Sequence, residues 1–113
     1  MTAGERLKAA LDPLGLPVKP DAYMGEEEQY ITYNYDLLPV LYADGRAHFF
    51  RALIQVHLFA PLGVSTAGAR AGIMQALAGA GFPWPEMVNA SGKDAQHYVF
   101  ETEAVQKLPV SQK

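Results

Sequence analysis

Residues Phe49 to Ala60 alternate without a break. Phe50, Ala52, Ile54, Val56 and Leu58 fall on one face of an extended chain, and Arg51, Leu53, Gln55, His57 and Phe59 on the other. Successive side chains of a strand point to opposite faces, so the segment specifies a strand with one wholly apolar face and one mixed face. Strands typically run about five or six residues, so this one is expected to bend or to project beyond the domain body. Pro61 ends it. The rest of the chain must supply a cover for its apolar side.

Two helices are available. Thr2 can cap a first helix with Glu5 in its opening turn and Leu7, Ala10, Leu11 and Leu14 at helical spacing, stopped by Gly15 and Pro17. Ser65 or Thr66 can cap a second, over Ala67 to Ala80, with Ile73, Met74, Leu77 and Ala80 as its apolar stripe and Gly81 and Pro83 closing it. Its interior glycines each cost about 1 kcal/mol relative to alanine, so tertiary packing must hold it.

Further strands are expected at Gln29 to Tyr35, where Ile31, Tyr33 and Tyr35 alternate with Tyr30, Thr32 and Asn34, and at Gln96 to Val105. Short strands are expected around Asp21 to Met24, at an edge, and over Pro85 to Ala90. Pro39 argues against a central strand over the residues after Tyr35, so Asp36 to Ala47 reads as a long connection or extended arm, with a turn at Asp44-Gly45. The fold class that follows is α+β: a mainly antiparallel sheet of four to five strands with two helices packed on one face, in the order α-β-β-β-α-β-β. Residues 1–106 read as a single domain and 107–113 as a flexible tail.

A chain of 113 residues that is 50% hydrophobic can build a core without staples. It holds no cysteine, which excludes disulfides and thiolate metal sites and suits a reducing compartment. A net charge of −3, with Lys and Arg scattered, offers phosphates no general attraction, so nucleic acid is not expected as the principal partner. The first residues turn amphipathic at once, and no apolar stretch is long enough to span a bilayer. Cytoplasmic residence without a membrane partner is expected.

Candidate chemistry is sparse. Gly63-Val64-Ser65-Thr66-Ala67 resembles a nucleophile elbow, but helix capping is the better account of Ser65. His48, His57 and His97 lack metal-site spacing; His57 and His97 become neighbours if their strands pair, and with Glu101 they could make a weak site. Gly68-Ala69-Arg70-Ala71-Gly72 is no phosphate loop and suits close helix packing, within the subunit or against another. Asn89-Ala90-Ser91 matches a glycosylation acceptor but has no secretion signal behind it. No catalytic residue, cofactor or metal is expected, and the chain is not expected to be an enzyme.

Apolar residues, by contrast, are in surplus. Leu37, Leu38, Val40, Leu41 and Tyr42 in the arm, Phe82 and Trp84 after the second helix, and Leu53 and Phe59 on the mixed face have no place in a one-sided core. The arm can fold back over the mixed face, other molecules can cover these residues, and both can hold at once. The candidate interface comprises Leu37, Leu38, Val40, Leu41, Tyr42, Arg46, Arg51, Leu53, Gln55, His57, Phe59 and Trp84.

The layout also resembles a known family. A short amphipathic helix leads through a Pro-rich segment to Gln29-Tyr30-Ile31-Thr32-Tyr33-Asn34-Tyr35. An insertion, Ala52 to Pro61, a helix and His97-Tyr98-Val99-Phe100-Glu101-Thr102-Glu103 follow. This order is similar to that of the tail-completion and tail-terminator proteins of long-tailed bacteriophages and prophages, over roughly Glu5 to Val105. The resemblance implies a structural protein without catalytic residues whose subunits close into a ring, commonly a hexamer. Such a ring caps the tail tube and joins it to the head. Asp36 to His48 would be the projecting loop, and Arg51, Leu53, Gln55 and His57 a subunit or tube contact. The partners would be the chain itself, tail-tube proteins and head–tail connector proteins. Its locations would be the bacterial host cytoplasm during assembly and then the virion tail. A monomeric or dimeric binding module or assembly chaperone, and a small ligand-binding or enzymatic domain using His57, His97 and Glu101, are the alternatives.

Overall fold

The computed structural model describes residues 2–43 and 45–107, with 41–43, 46–48 and 106–107 described as backbone only. The fold is α+β: two helices and a five-stranded mixed sheet, in the order expected.

Helix α1 spans Ala3–Leu11 and opens with a capping box. The Thr2 hydroxyl accepts from Glu5 N–H at 3.2 Å, and the Glu5 carboxylate accepts from Thr2 N–H at 2.9 Å. That second bond stabilises the charged form and holds the Glu5 carboxyl below its usual range. A 3₁₀ turn over Asp12–Leu14 follows and is closed by Gly15 at φ +82°. Strand β1 spans Val18–Pro20 and runs parallel to β2, which spans Tyr30–Ala43. The expected edge strand at Asp21 to Met24 is therefore displaced to three earlier residues. Asp21 takes φ +63° and leads the chain out of the sheet, although its N–H still donates to Tyr33 C=O at 2.9 Å.

The larger correction concerns Asp36 to Ala47. Instead of an arm or a projecting loop, β2 continues through it and pairs antiparallel with β3, Arg46–Ala60, from Tyr30↔Phe59 to Ala43↔Arg46. Gly45 lies at φ +77° where the chain reverses. Pro39 is tolerated for a geometric reason. Ile31 N–H and Tyr33 C=O bond toward β1, and backbone groups alternate sides along a strand, so the nitrogens of Tyr35, Leu37 and Pro39 face away from β3. Among the described residues no strand lies there beyond Tyr33, because β1 has ended. Pro39 thus loses no ladder bond, and the register shifts just after it.

Strand β5, Gln96–Lys107, pairs antiparallel with β3 along nearly its whole length, and β4, Glu86–Asn89, closes the other edge. The sheet order is β1-β2-β3-β5-β4. Lys107 belongs to β5; the rest of the expected tail, 108–113, lies outside the described residues.

Helix α2, Ala67–Gly79, packs with α1 on one sheet face. The two helices contribute Leu7, Leu11, Ile73 and Leu77. The sheet contributes Ile31, Tyr33, Ala52, Ile54, Val56, Leu58, Tyr98 and Phe100, and Phe82 closes the end. Each fully buried Leu, Ile or Phe among them is worth about 1.5–3 kcal/mol. In the glycine-rich helix only Gly72 meets a close neighbour: a Cβ there would stand 3.1 Å from Leu14 Cδ2, whereas Gly68 and Gly79 face open space.

Thr66 sits at the start of α2, but its hydroxyl does not cap the helix. It donates to Gln96 Oε1 and accepts from Arg70 Nε, both at 3.1 Å. Gln96 is the hub of this corner. Its Oε1 also accepts from the Tyr98 hydroxyl, and its Nε2 donates to the carbonyls of Pro61 and Val64, each at 2.8 Å. One amide thereby ties the β3–α2 connection to the start of β5.

Candidate functional site

With both helices on one face, no described residue forms a covering layer over most of the other face of the sheet. The ladders align its side chains in rows. Tyr30, Phe59 and His97 form the first row; Thr32, His57, Val99 and Val88 the second; Asn34, Gln55, Glu101 and Glu86 the third. Asp36, Leu53 and Glu103 follow, then Leu38, Arg51 and Val105 towards the hairpin end. The connection between β1 and β2 folds over the first rows only: Tyr23 packs on Tyr30 with centroids 4.7 Å apart, and Thr32 is buried.

The structure assembles most of the expected interface residues here. Arg51, Leu53, Gln55, His57 and Phe59 share this face, with Leu38 from β2. Leu53 is 37% exposed, Leu38 40% and Trp84 67%. Val40 is 46% exposed beside the register shift. Leu37 is the exception: it points to the helix side and packs against the core. For Leu41, Tyr42 and Arg46 only the backbone is described, and their side chains lie outside the described residues. The alternative in which the arm folds back over the mixed face is excluded, because that segment is committed to the β2–β3 ladder.

Residues absent from the expected interface complete the surface: Asp36, Glu86, Glu101 and Glu103 join Leu53, Gln55 and Trp84 in lining an open recess of about 530 Å³. Glu86 stands directly opposite Glu101, a like-charge pairing that disfavours the isolated sheet. Arg51 offsets Glu103 at 3.5 Å. Period-two alternation through Asn34, Asp36 and Leu38 was the available signal for the β2 contribution, and Pro39 obscured it.

At the other end lies a ring cluster. Phe59 and His97 oppose each other across β3 and β5 and stack with centroids 4.2 Å apart; Tyr30 stacks on Phe59 at 5.0 Å. His57 and His97 meet, as strand pairing implied: His57 Nδ1 lies 2.9 Å from His97 Nε2. His57 Nε2 lies 2.8 Å from Asn34 Oδ1, and Asn34 Nδ2 donates to Gln55 Oε1 at 3.3 Å. Burial, followed by the nearby His97, pushes His57 below the usual imidazole range; burial lowers His97. Glu101 lies on the same face but bonds to neither ring, and among the described residues no cluster of three His, Cys, Asp or Glu is placed to hold a metal. Ser65 is exposed, one residue ahead of the Thr66 hub.

No family model matches the chain, and no curated protein matches it. A solved structure whose name describes no function aligns with 97% of this chain and 100% of its own, at 15% identity and a TM-score of 0.56. At that identity the likeness is one of fold. Among the described residues no helix is long and apolar enough to cross a membrane.

Proposed function

We propose that the protein is a phage or prophage virion structural protein that self-associates into a ring at the head-proximal end of the tail, helping to complete the tail and join it to the head. The observation that supports this reading is the uncovered sheet face. It carries Leu38, Leu53, Trp84 and Val105 in contact with solvent, beside Glu86 and Glu101 at directly opposed ladder positions. A monomer rarely exposes such groups contiguously, and a covering partner resolves both features. The molecule is elongated, 55 × 26 × 26 Å, with three long strands. Contacts between different patches on successive copies close into rings when the rotation permits.

Light scattering coupled to size-exclusion chromatography, with negative-stain imaging of the eluted species, tests this. Since such subunits can remain monomeric before assembly, the measurement is repeated with purified tail tubes of the host phage. A discrete ring, or tubes capped at one end, is expected, and Leu53→Asp removes it. A monomer at every concentration that also ignores tail tubes refutes the proposal. A dimer that binds other proteins favours the binding-module alternative.

A further inference from the structure

The two imidazoles on the open face are linked in a chain whose direction the amides define. Asn34 Nδ2 donates to Gln55 Oε1, which turns Asn34 Oδ1 toward His57. His57 Nε2 therefore carries a proton and donates at 2.8 Å. In a neutral ring that leaves His57 Nδ1 bare, so it accepts from His97 Nε2–H at 2.9 Å. His97 Nδ1 is left as the bare terminus of the chain, with no hydrogen-bond partner among the described residues.

This polarity decides where protons go. A first proton adds to His97 Nδ1 and disturbs nothing, because His97 Nε2–H still donates to His57. A second proton would have to occupy His57 Nδ1, where the existing bond already places the His97 hydrogen. It would convert an N–H···N bond into two opposed N–H groups on two cations. We propose that His57 and His97 act as a one-proton switch on the open face, taking up no added proton or one with the chain intact and separating only when forced to take two.

The surroundings do not offset the charge. Tyr30, Thr32 and Asn34 face the pair from β2, Gln55 and Phe59 from β3, and Val99 from β5. Glu101 lies one row further along β5, and Val88 faces the pair from β4. The β1–β2 connection brings Asp21 and Tyr23 to the same recess, of about 270 Å³. The β4–β5 connection carries Lys93 and Asp94, and its Ser91 bonds to the His97 backbone. Of these carboxylates none makes an ion pair with either ring among the described residues.

The functional consequence rests on the docking face proposed above. The pair lies at the far end of that face, in the recess beside the β1–β2 connection; a partner that extends over this recess removes water from His97 Nδ1, so docking favours the uncharged pair and expels the proton. Association then weakens as pH falls through the first titration step, by up to about tenfold per pH unit for one proton.

The experiment has two arms. In the first, long-range ¹H–¹⁵N correlations on the labelled protein report each ring's tautomer from about pH 8 to about pH 5, the window of imidazole titration. Both rings are expected as Nε2–H tautomers at the alkaline end, with His97 charging first and His57 well afterwards. His97→Gln is expected to raise the His57 midpoint, since the neighbouring charge is gone. Equal midpoints, His57 charging first, or a His57 midpoint indifferent to His97→Gln overturns the one-proton pair. In the second arm, self-association or tail-tube binding is followed over the same range. Binding that is present but indifferent to pH overturns the switch. Absence of binding at every pH counts against the docking face instead, and leaves the proton pair to the first arm.

Discussion

Replacing Gln96 by alanine removes more than a surface amide. Its oxygen accepts from the Thr66 and Tyr98 hydroxyls at 3.1 Å, and its nitrogen donates to the Pro61 and Val64 carbonyls at 2.8 Å. At a net of about 1 kcal/mol per hydrogen bond, four bonds set a ceiling of about 4 kcal/mol. Not all of that is lost. Val64 is exposed, and its carbonyl rehydrates. Thr66 is only 2% exposed and Tyr98 only 8%, so their hydroxyls are left short of partners. The expected destabilisation is therefore about 2–3 kcal/mol, a large share of a typical domain's 5–15 kcal/mol. Urea unfolding followed by circular dichroism measures it as a lower midpoint at unchanged slope. Gln96→Glu supplies an internal control. It keeps the acceptor but sets a carboxylate against two carbonyl oxygens, so it is expected to be at least as damaging at neutral pH and to recover on acidification. If both variants unfold within about 0.5 kcal/mol of the parent, as ordinary surface substitutions do, the hub does not hold this corner.

Other outcomes follow from the same geometry. Trp84→Ala, at a side chain 67% exposed, is expected to shift unfolding by less than about 1 kcal/mol while weakening self-association in sedimentation velocity. Thr2→Ala removes the capping hydroxyl of α1 and is expected to cost about 1 kcal/mol in the same urea assay. Because His57 and His97 are both held below their unfolded value of about 6.5, the unfolded chain binds more protons as pH falls through that value. Stability present above it is thus lost on approach to the folded values, and His57→Gln/His97→Gln is expected to flatten this part of the pH–stability curve.

How far the fold could be read depended on whether a segment's pattern was set locally. The alternation of Phe49 to Ala60 and the cap at Thr2 are local, and both are where the residues placed them. Pro39 misled because its compatibility with a strand depends on which way its nitrogen faces, and that is decided by where β1 ends. A three-residue parallel strand such as β1 carries no periodicity. Thr66 stands where an N-cap stands, yet Gln96, thirty residues later, captures its hydroxyl. Of the candidate site, the mixed face of β3 and the meeting of His57 with His97 were legible from alternation. The acidic rows were not, since Asp36, Glu86, Glu101 and Glu103 come from three strands and meet only through the register.

The outer margin of β2 bears on which strands can join the sheet. A foreign strand arriving there finds backbone donors at Tyr35 and Leu37 and then a blank rung at Pro39, followed by the shifted register. Two rungs are too few to zip a new strand into place, so edge-to-edge pairing along this margin is throttled. At this margin, contacts with another molecule therefore fall to side chains and not to the backbone ladder.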